Sequence, residues 1–125
     1  MDKAVKIAVN ALDSRKGLDI EILKVEEVTS MADYFIICSG TSNTQIRTLG
    51  DEVEFKLKEE LGLEPLHREG YQSASWYLLD YGFMIVHVFH QEARTFYNLG
   101  RLWADAERID PATLINQEGE EKNEI

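Results

Sequence analysis

The segment from Ser75 to His90 holds the residues of this chain whose types and spacing could do chemistry. It reads SWYLLDYGFMIVHVFH, two apolar stretches joined at a turn, with a carboxylate at Asp80 and an imidazole at His87. A carboxylate can help to hold a divalent metal ion, and an imidazole can transfer protons or bind zinc. The pattern predicts a β-hairpin. Together with Trp76, these residues could form an active site, a docking surface or ordinary packing.

The turn CSGTSNTQ at residues 38–45 is a second candidate, because a predicted strand passes there into a predicted helix. Backbone N–H groups at the start of a helix can hold a phosphate. The turn resembles the opening of the nucleotidyltransferase fold, in which the next strand supplies paired carboxylates that hold Mg²⁺. Helix capping by Ser42 and Gln45 explains the same residues without a ligand, and we favour that interpretation.

The hairpin lacks the second carboxylate that a magnesium site would require. Two side chains share one face of a strand when they lie two residues apart, and Leu78 and Gly82 occupy those positions around Asp80. His87 and His90 lie three residues apart, on opposite faces of the predicted strand, so they do not form a pair of zinc ligands. The sequence therefore predicts no bound metal, no cofactor and no enzymatic activity.

Apolar spacing predicts the elements that must position these residues. Their order is helix, strand, strand, helix, hairpin and helix, over residues 3–13, 19–28, 32–40, 42–61, 75–90 and 91–105. Gly62 stands where a left-handed residue would end the long helix. Gly50 lies in the middle of that helix, where a close packing contact is the usual reason for a glycine. The order predicts an α+β fold, a mixed β-sheet packed with helices.

The turn leaves the register of the hairpin open. A two-residue loop at Tyr81 and Gly82 would place Trp76 opposite His87, whereas a three-residue loop with a bulge at Gly82 would shift the pairing. In the first register, one patch with an aromatic centre and a polar edge would comprise Trp76, Leu78, Asp80 and His87. Such patches are typical of protein-binding hot spots. The alternative is that Trp76 and His87 only pack beneath a helix.

The composition indicates a single domain in a reducing compartment. The chain has 125 residues, a net charge of −10 and one cysteine, Cys38, which cannot form an internal disulfide. We expect one domain at residues 1–112 and an acidic, disordered tail at residues 113–125. Because no apolar run could cross a membrane and no secretory signal is visible, we expect a cytoplasmic protein. The lack of Lys and Arg clusters argues against binding to a phosphate backbone.

Several ordered blocks of the chain resemble the ribosomal silencing factor family, also called the Iojap-related family. The blocks are ADYFIICSGTSN, the helix after it, WYLLDYGFMIVHVFH and RTFYNLGRLW, within residues 3–108. The resemblance implies a nucleotidyltransferase-like fold without the catalytic carboxylates. It also implies a translational repressor that binds the large ribosomal subunit through the fourteenth large-subunit protein, on the subunit-joining face. Bound there, the repressor would sterically block the small subunit when nutrients are short.

The resemblance also implies roles for individual residues. Those implied to contact the partner belong to the W-x-x-x-D-x-G and V-H-V elements and the turn between them: Trp76, Leu78, Asp80, Tyr81 and His87. Those implied to support them belong to the A-D-Y/F block and the S-G-T turn: Asp33, Tyr34, Ser39, Gly40 and Thr41. Little direct contact with nucleic acid is expected. Family members can dimerise, so a homodimer is a further expectation.

Two other functions stay open from the residues alone. One is a small Mg²⁺-dependent nucleotidyltransferase that uses the turn at residues 40–42 and Asp80. The other is an adaptor that docks on a non-ribosomal assembly. Because the chain is acidic and ribosomal proteins are generally basic, electrostatic attraction favours the ribosomal interpretation.

Overall fold

The computed structural model describes residues 3–71, 75–94 and 104–115. Its helices are α1 (Lys3–Ser14), α2 (Asn43–Leu61) and α3 (Gln91–Arg94), and residues 111–115 form a last helical turn. Its strands are β1 (Leu18–Lys24), β2 (Tyr34–Gly40), β3 (His67–Glu69), β4 (Trp76–Asp80), β5 (Met84–His90) and β6 (Glu107–Ile109). The predicted α+β class is confirmed. None of the helices within these ranges is long and apolar enough to cross a membrane.

The strands form one mixed sheet in the order β3-β4-β5-β2-β1-β6. Strands β2 and β5 run parallel, and the other described pairs are antiparallel. A tight turn cannot join parallel strands, so the chain crosses over from β2 through α2 before it returns along the hairpin. Strands β2 and β5 are buried along almost their whole length, as parallel strands generally are. The strand predicted at residues 32–40 is confirmed over residues 34–40.

Helix α2 begins and ends where its sequence predicts. Ser42 precedes the helix in an extended conformation, and its Oγ accepts a hydrogen bond from the Gln45 N–H at 3.1 Å. The reciprocal bond of the capping pattern is shifted by one residue, because Gln45 Oε1 accepts from the Thr41 N–H at 2.7 Å. Gly62 ends the helix with a φ of +68°. Glycine adopts this left-handed conformation more readily than residues that carry a Cβ.

The sheet separates two apolar clusters. On the first face of the sheet, helices α1 and α2 cover the larger cluster, whose fully buried members include Leu12, Leu49, Leu57, Tyr77 and Leu79. On the second face lies a smaller cluster that includes Leu23, Phe35, Ile37, Ile85 and Phe89. Trp76 and Leu78 pack at the edge of the smaller cluster. The hairpin therefore contributes to both sides of the sheet, with alternate residues on opposite faces.

The hairpin register differs from both predicted alternatives. Trp76 lies opposite Phe89 and Leu78 lies opposite His87. The Tyr81 N–H donates to the Met84 carbonyl at 2.9 Å, so the two loop residues are 82 and 83. Gly82 has a φ of +87° at the first loop position. A glycine is favoured there because the backbone twist of such a turn matches the twist of the paired strands.

The helix predicted at residues 91–105 is described only at its two ends. Helix α3 covers its first four residues, residues 104 and 105 form a turn, and residues 95–103 lie outside the described residues. The apolar side that the spacing predicts for this helix belongs to that undescribed part: Phe96, Leu99, Leu102 and Trp103. Strand β6 then pairs with β1. This strand was not predicted, because three residues are too few to show the apolar alternation of a strand. Asp110 followed by proline is typical of a helix end. Here Asp110 instead caps the next helical turn, and its Oδ1 accepts from the Ala112 N–H at 3.0 Å.

The packed part of the chain continues beyond the domain boundary proposed after residue 112. Leu114 is 4% exposed and belongs to the larger cluster, and Ile115 packs against that cluster. Residues 116–125 lie outside the described residues. The disorder expected for the rest of the tail therefore stays a prediction.

Gly50 makes room for the ring of Tyr77. A Cβ added at Gly50 would lie 2.2 Å from Tyr77 Cε2 and 2.4 Å from Tyr77 Cδ2. The close packing contact expected from the sequence is therefore present, between α2 and the buried side of β4.

We expect Gly50→Ala to lower the free energy of unfolding by about 1–2 kcal/mol, because overpacking against the ring outweighs the gain in helix propensity. Chemical denaturation measures this change. In a Tyr77→Leu background, where the ring is absent, the same substitution should instead be stabilising. A stabilising effect of Gly50→Ala in the wild-type chain would contradict the packing described here.

Candidate functional site

The structure brings four of the five predicted contact residues together on the second face. Trp76, Leu78 and Asp80 alternate along β4 and are each partly exposed. His87 lies opposite Leu78 on β5 and is 5% exposed. We call these four residues the hairpin patch. Tyr81 is not part of it, because its side chain is 6% exposed within the larger cluster on the first face.

A hydrogen bond to His87 fixes the orientation of Trp76. The indole Nε1–H donates to His87 Nδ1 at 3.1 Å, and the indole stacks on Phe89 with ring centroids 5.0 Å apart. Because Nδ1 accepts this hydrogen bond, the neutral imidazole carries its proton on Nε2. The partly exposed edge of the indole is therefore held in one orientation toward solvent.

His87 is a buried, neutral imidazole. Its ring forms a T-shaped contact with Phe35 at a centroid distance of 5.0 Å, and burial lowers the pKa of His87 to about 4. Within the described ranges, its Nε2 has no hydrogen-bond partner. In this position the imidazole accepts the hydrogen bond of the indole N–H. A proton-transfer role would require contact with solvent or substrate, which its burial restricts.

The carboxylate of Asp80 holds the hairpin turn. Its Oδ1 accepts from the Gly82 N–H at 2.7 Å, and the Asp80 carbonyl accepts from the Leu66 N–H at 2.7 Å. Because Asp80 is partly exposed, its charge is accessible to a partner. Among the residues that the structure describes, no group of three or more His, Cys, Asp and Glu side chains could hold a metal ion.

Asp33 and Tyr34 support the hairpin at its turn through the main chain. Their N–H groups both donate to the Phe83 carbonyl, at 2.8 and 3.0 Å, and so tie the start of β2 to the loop. The side chain of Asp33 is exposed and that of Tyr34 is partly exposed. These bonds involve the main chain only, so the supporting role implied for the two side chains stays a prediction.

The S-G-T turn lies at the other end of β2 and is held by bonds within the chain. Gln45 Oε1 accepts from both the N–H and the Oγ1 of Thr41, at 2.7 and 3.0 Å. A Cβ at Gly40 would lie 3.1 Å from Ile46 Cγ1, so the turn packs closely on α2. Its polar groups serve the helix start, which agrees with the capping interpretation rather than with a phosphate cradle.

Arg94 is a partly buried residue whose contacts were not expected from the sequence. Its Nη1 donates to Ser39 Oγ at 2.8 Å, and its Nη2 forms an ion pair with Glu21. The other oxygen of Glu21 pairs with Arg108 at 2.6 Å. These contacts tie α3 to β2, β1 and β6 across the second face. No sequence signal could reveal them, because the partners lie far apart along the chain.

The sequence of this chain is similar to those of known proteins. A family model described as ribosomal silencing factor during starvation matches residues 1–125. A ribosomal silencing factor of Halalkalibacterium halodurans is 39% identical over 112 residues, which are 90% of this chain and 95% of that protein. One of Bacillus subtilis is 39% identical over 113 residues, with the same shares of the two chains.

The fold also matches a solved structure. A crystal structure of a protein from Chromobacterium violaceum superposes with a TM-score of 0.79 at 36% sequence identity. The match covers 83% of this chain and 88% of that one.

The buried imidazole should make stability depend on pH. Since folding lowers the pKa of His87 from 6.5 to about 4, the unfolded chain takes up a proton at a higher pH than the folded chain. Stability should therefore fall as the pH drops from about 6.5 to about 4, by about 3 kcal/mol from this residue alone. Urea unfolding of the wild type and of His87→Gln across this interval isolates the contribution. If the free energy of unfolding changed with pH in the same way for both proteins, His87 would not be the source of the pH dependence.

Proposed function

Because this chain belongs to the ribosomal silencing factor family, we propose that it binds the large ribosomal subunit and sterically blocks the small subunit. A ribosome-associated role in silencing translation follows from the family itself. The finer proposal is that the hairpin patch contacts the fourteenth large-subunit protein on the subunit-joining face. The observation that carries this proposal is the fixed, partly exposed row of Trp76, Leu78 and Asp80 above the buried His87.

The geometry of the hairpin patch supports protein recognition. Interface hot spots centre on aromatic side chains that fill a partner's pocket, surrounded by residues that exclude water. Trp76 is positioned before any partner arrives, since Phe89 supports its ring and His87 holds its Nε1–H. Less conformational freedom is lost on binding when the contact side chain is already ordered. Trp76 would be the anchor and Leu78 part of its apolar surroundings.

Charge supports a basic protein partner. The net charge is −10, and the exposed Glu69 lies opposite Leu78 on the same face of the sheet as Asp80. These carboxylates would repel a phosphate backbone and attract Lys or Arg side chains of a ribosomal protein. We therefore propose little direct contact with ribosomal RNA. The complex should weaken as salt is added.

The enzymatic alternative has less support. The family is a regulatory one. Asp80 already accepts a hydrogen bond from Gly82, and Gln45 holds the polar groups of Thr41. A bound nucleotide would have to displace these hydrogen bonds. Its metal ion would then be held by a single carboxylate. We propose that the chain has no nucleotidyltransferase activity, and calorimetric titration of nucleotides with Mg²⁺ tests this. A cytoplasmic location and a homodimer stay predictions.

We expect Trp76→Ala to weaken co-sedimentation with isolated large subunits by about 30-fold or more, because truncating a central tryptophan commonly costs about 2 kcal/mol or more. The matched control is Phe55→Ala, which removes an aromatic side chain that is 55% exposed on α2. Circular dichroism should show that both variants are folded. Equal binding by wild type and a folded Trp76→Ala variant would remove Trp76 as the anchor.

Asp80→Asn tests the charge without removing the turn. Asparagine keeps an oxygen that can accept from the Gly82 N–H, so the melting temperature should change little. Binding to large subunits should weaken several-fold at low salt, and its dependence on salt concentration should become shallower. Affinity measured over a salt series gives both quantities. An unchanged salt dependence would show that Asp80 faces no cation of the partner.

A further inference from the structure

Leu66 lies beside the hairpin patch and is exposed to an unusual degree. It is 77% exposed, the largest exposed fraction among the large apolar side chains of the described residues. Isolated exposed leucines are common on protein surfaces and usually need no explanation. Leu66 differs from such residues in its position, because its backbone is hydrogen-bonded to Asp80.

Leu66 lies at the hairpin turn that the Asp80 carboxylate holds. The Leu66 N–H donates to the Asp80 carbonyl at 2.7 Å, which fixes the backbone. A Cβ at Gly82 would lie 3.3 Å from Leu66 Cδ1, so the leucine side chain extends over the hairpin turn. The Gly82 N–H in turn donates to Asp80 Oδ1. An apolar side chain and a carboxylate thus lie around the same turn, where Leu66 is exposed and Asp80 is partly exposed.

We propose that Leu66 and Asp80 form one composite contact, in which Leu66 shields an ion pair between Asp80 and a Lys or Arg of the ribosomal protein. The proposal rests on the function proposed above and extends its contact surface beyond the hairpin. Exposed ion pairs contribute little because water and salt screen them. An apolar side chain that excludes water from one side of the pair strengthens the attraction.

This contact selects for a particular partner chemistry. The complementary surface has a cationic side chain next to a shallow apolar depression that receives the leucine. A protein can offer both features, whereas an RNA backbone offers phosphates that Asp80 repels. The partner surface is therefore protein, with its basic residue placed at the hairpin turn.

A double-mutant cycle tests the coupling between the two side chains. Leu66→Ala should leave the melting temperature unchanged, since the side chain is mostly exposed, and weaken large-subunit binding about 10-fold. In an Asp80→Asn background the same truncation should weaken binding only about 3-fold, because no ion pair is left to shield. Phe55→Ala is again the matched control and should bind as the wild type does.

The outcomes separate this inference from the function on which it rests. If the wild type does not co-sediment with large subunits, both fail. If the wild type binds but Leu66→Ala binds equally well, or if the cycle is fully additive, the composite contact alone is overturned. A benzophenone side chain introduced at position 66 gives an independent reading. Photo-crosslinks to a ribosomal protein support the inference, and crosslinks to ribosomal RNA overturn it.

Discussion

The parallel pairing of β2 with β5 fixes the arrangement on which the hairpin patch depends. It places β5 between β2 and β4, so the inner strand of the hairpin is buried and the outer strand can be partly exposed. His87 is consequently enclosed, while Trp76 on the neighbouring strand reaches the surface and hydrogen-bonds back to it. Because parallel strands require a crossover, α2 is a consequence of the same pairing.

The two strands of the hairpin therefore have different tasks. The inner strand supplies Phe89 and His87, which hold the indole, and the outer strand supplies the side chains that a partner could touch. The alternative considered from the sequence, in which Trp76 and His87 only pack, describes His87 well and Trp76 only in part. A buried neutral imidazole is a suitable support at physiological pH, since its pKa of about 4 keeps it uncharged.

The sequence predicted the strongly patterned elements and missed features that depend on distant partners. Helix α2 and strand β2 follow from apolar spacing, caps and a continuous buried run. The hairpin register does not follow from the local sequence. The loop residue Phe83 is held by its carbonyl, which accepts hydrogen bonds from the N–H groups of residues 33 and 34, far away in the sequence. Strand β6 exists through its pairing with β1, and its three residues carry no pattern of their own.

Tyr81 shows the limit of reading a site from adjacent motif residues. Alternation continued from β4 places Tyr81 with Tyr77 and Leu79, on the face opposite Trp76, and all three lie in the larger cluster. Its inclusion among the contact residues came from its place beside Asp80 in the motif. Residues next to each other in a strand point to opposite faces, so a motif in a strand mixes surface and core positions.

The proposed mechanism is tested most directly by subunit joining in vitro. Purified large subunits are incubated with the protein before small subunits are added, and light scattering follows the formation of complete ribosomes. We expect the wild type to lower the fraction of joined subunits in proportion to its occupancy of large subunits. Unimpaired joining on large subunits saturated with the protein would contradict steric blocking.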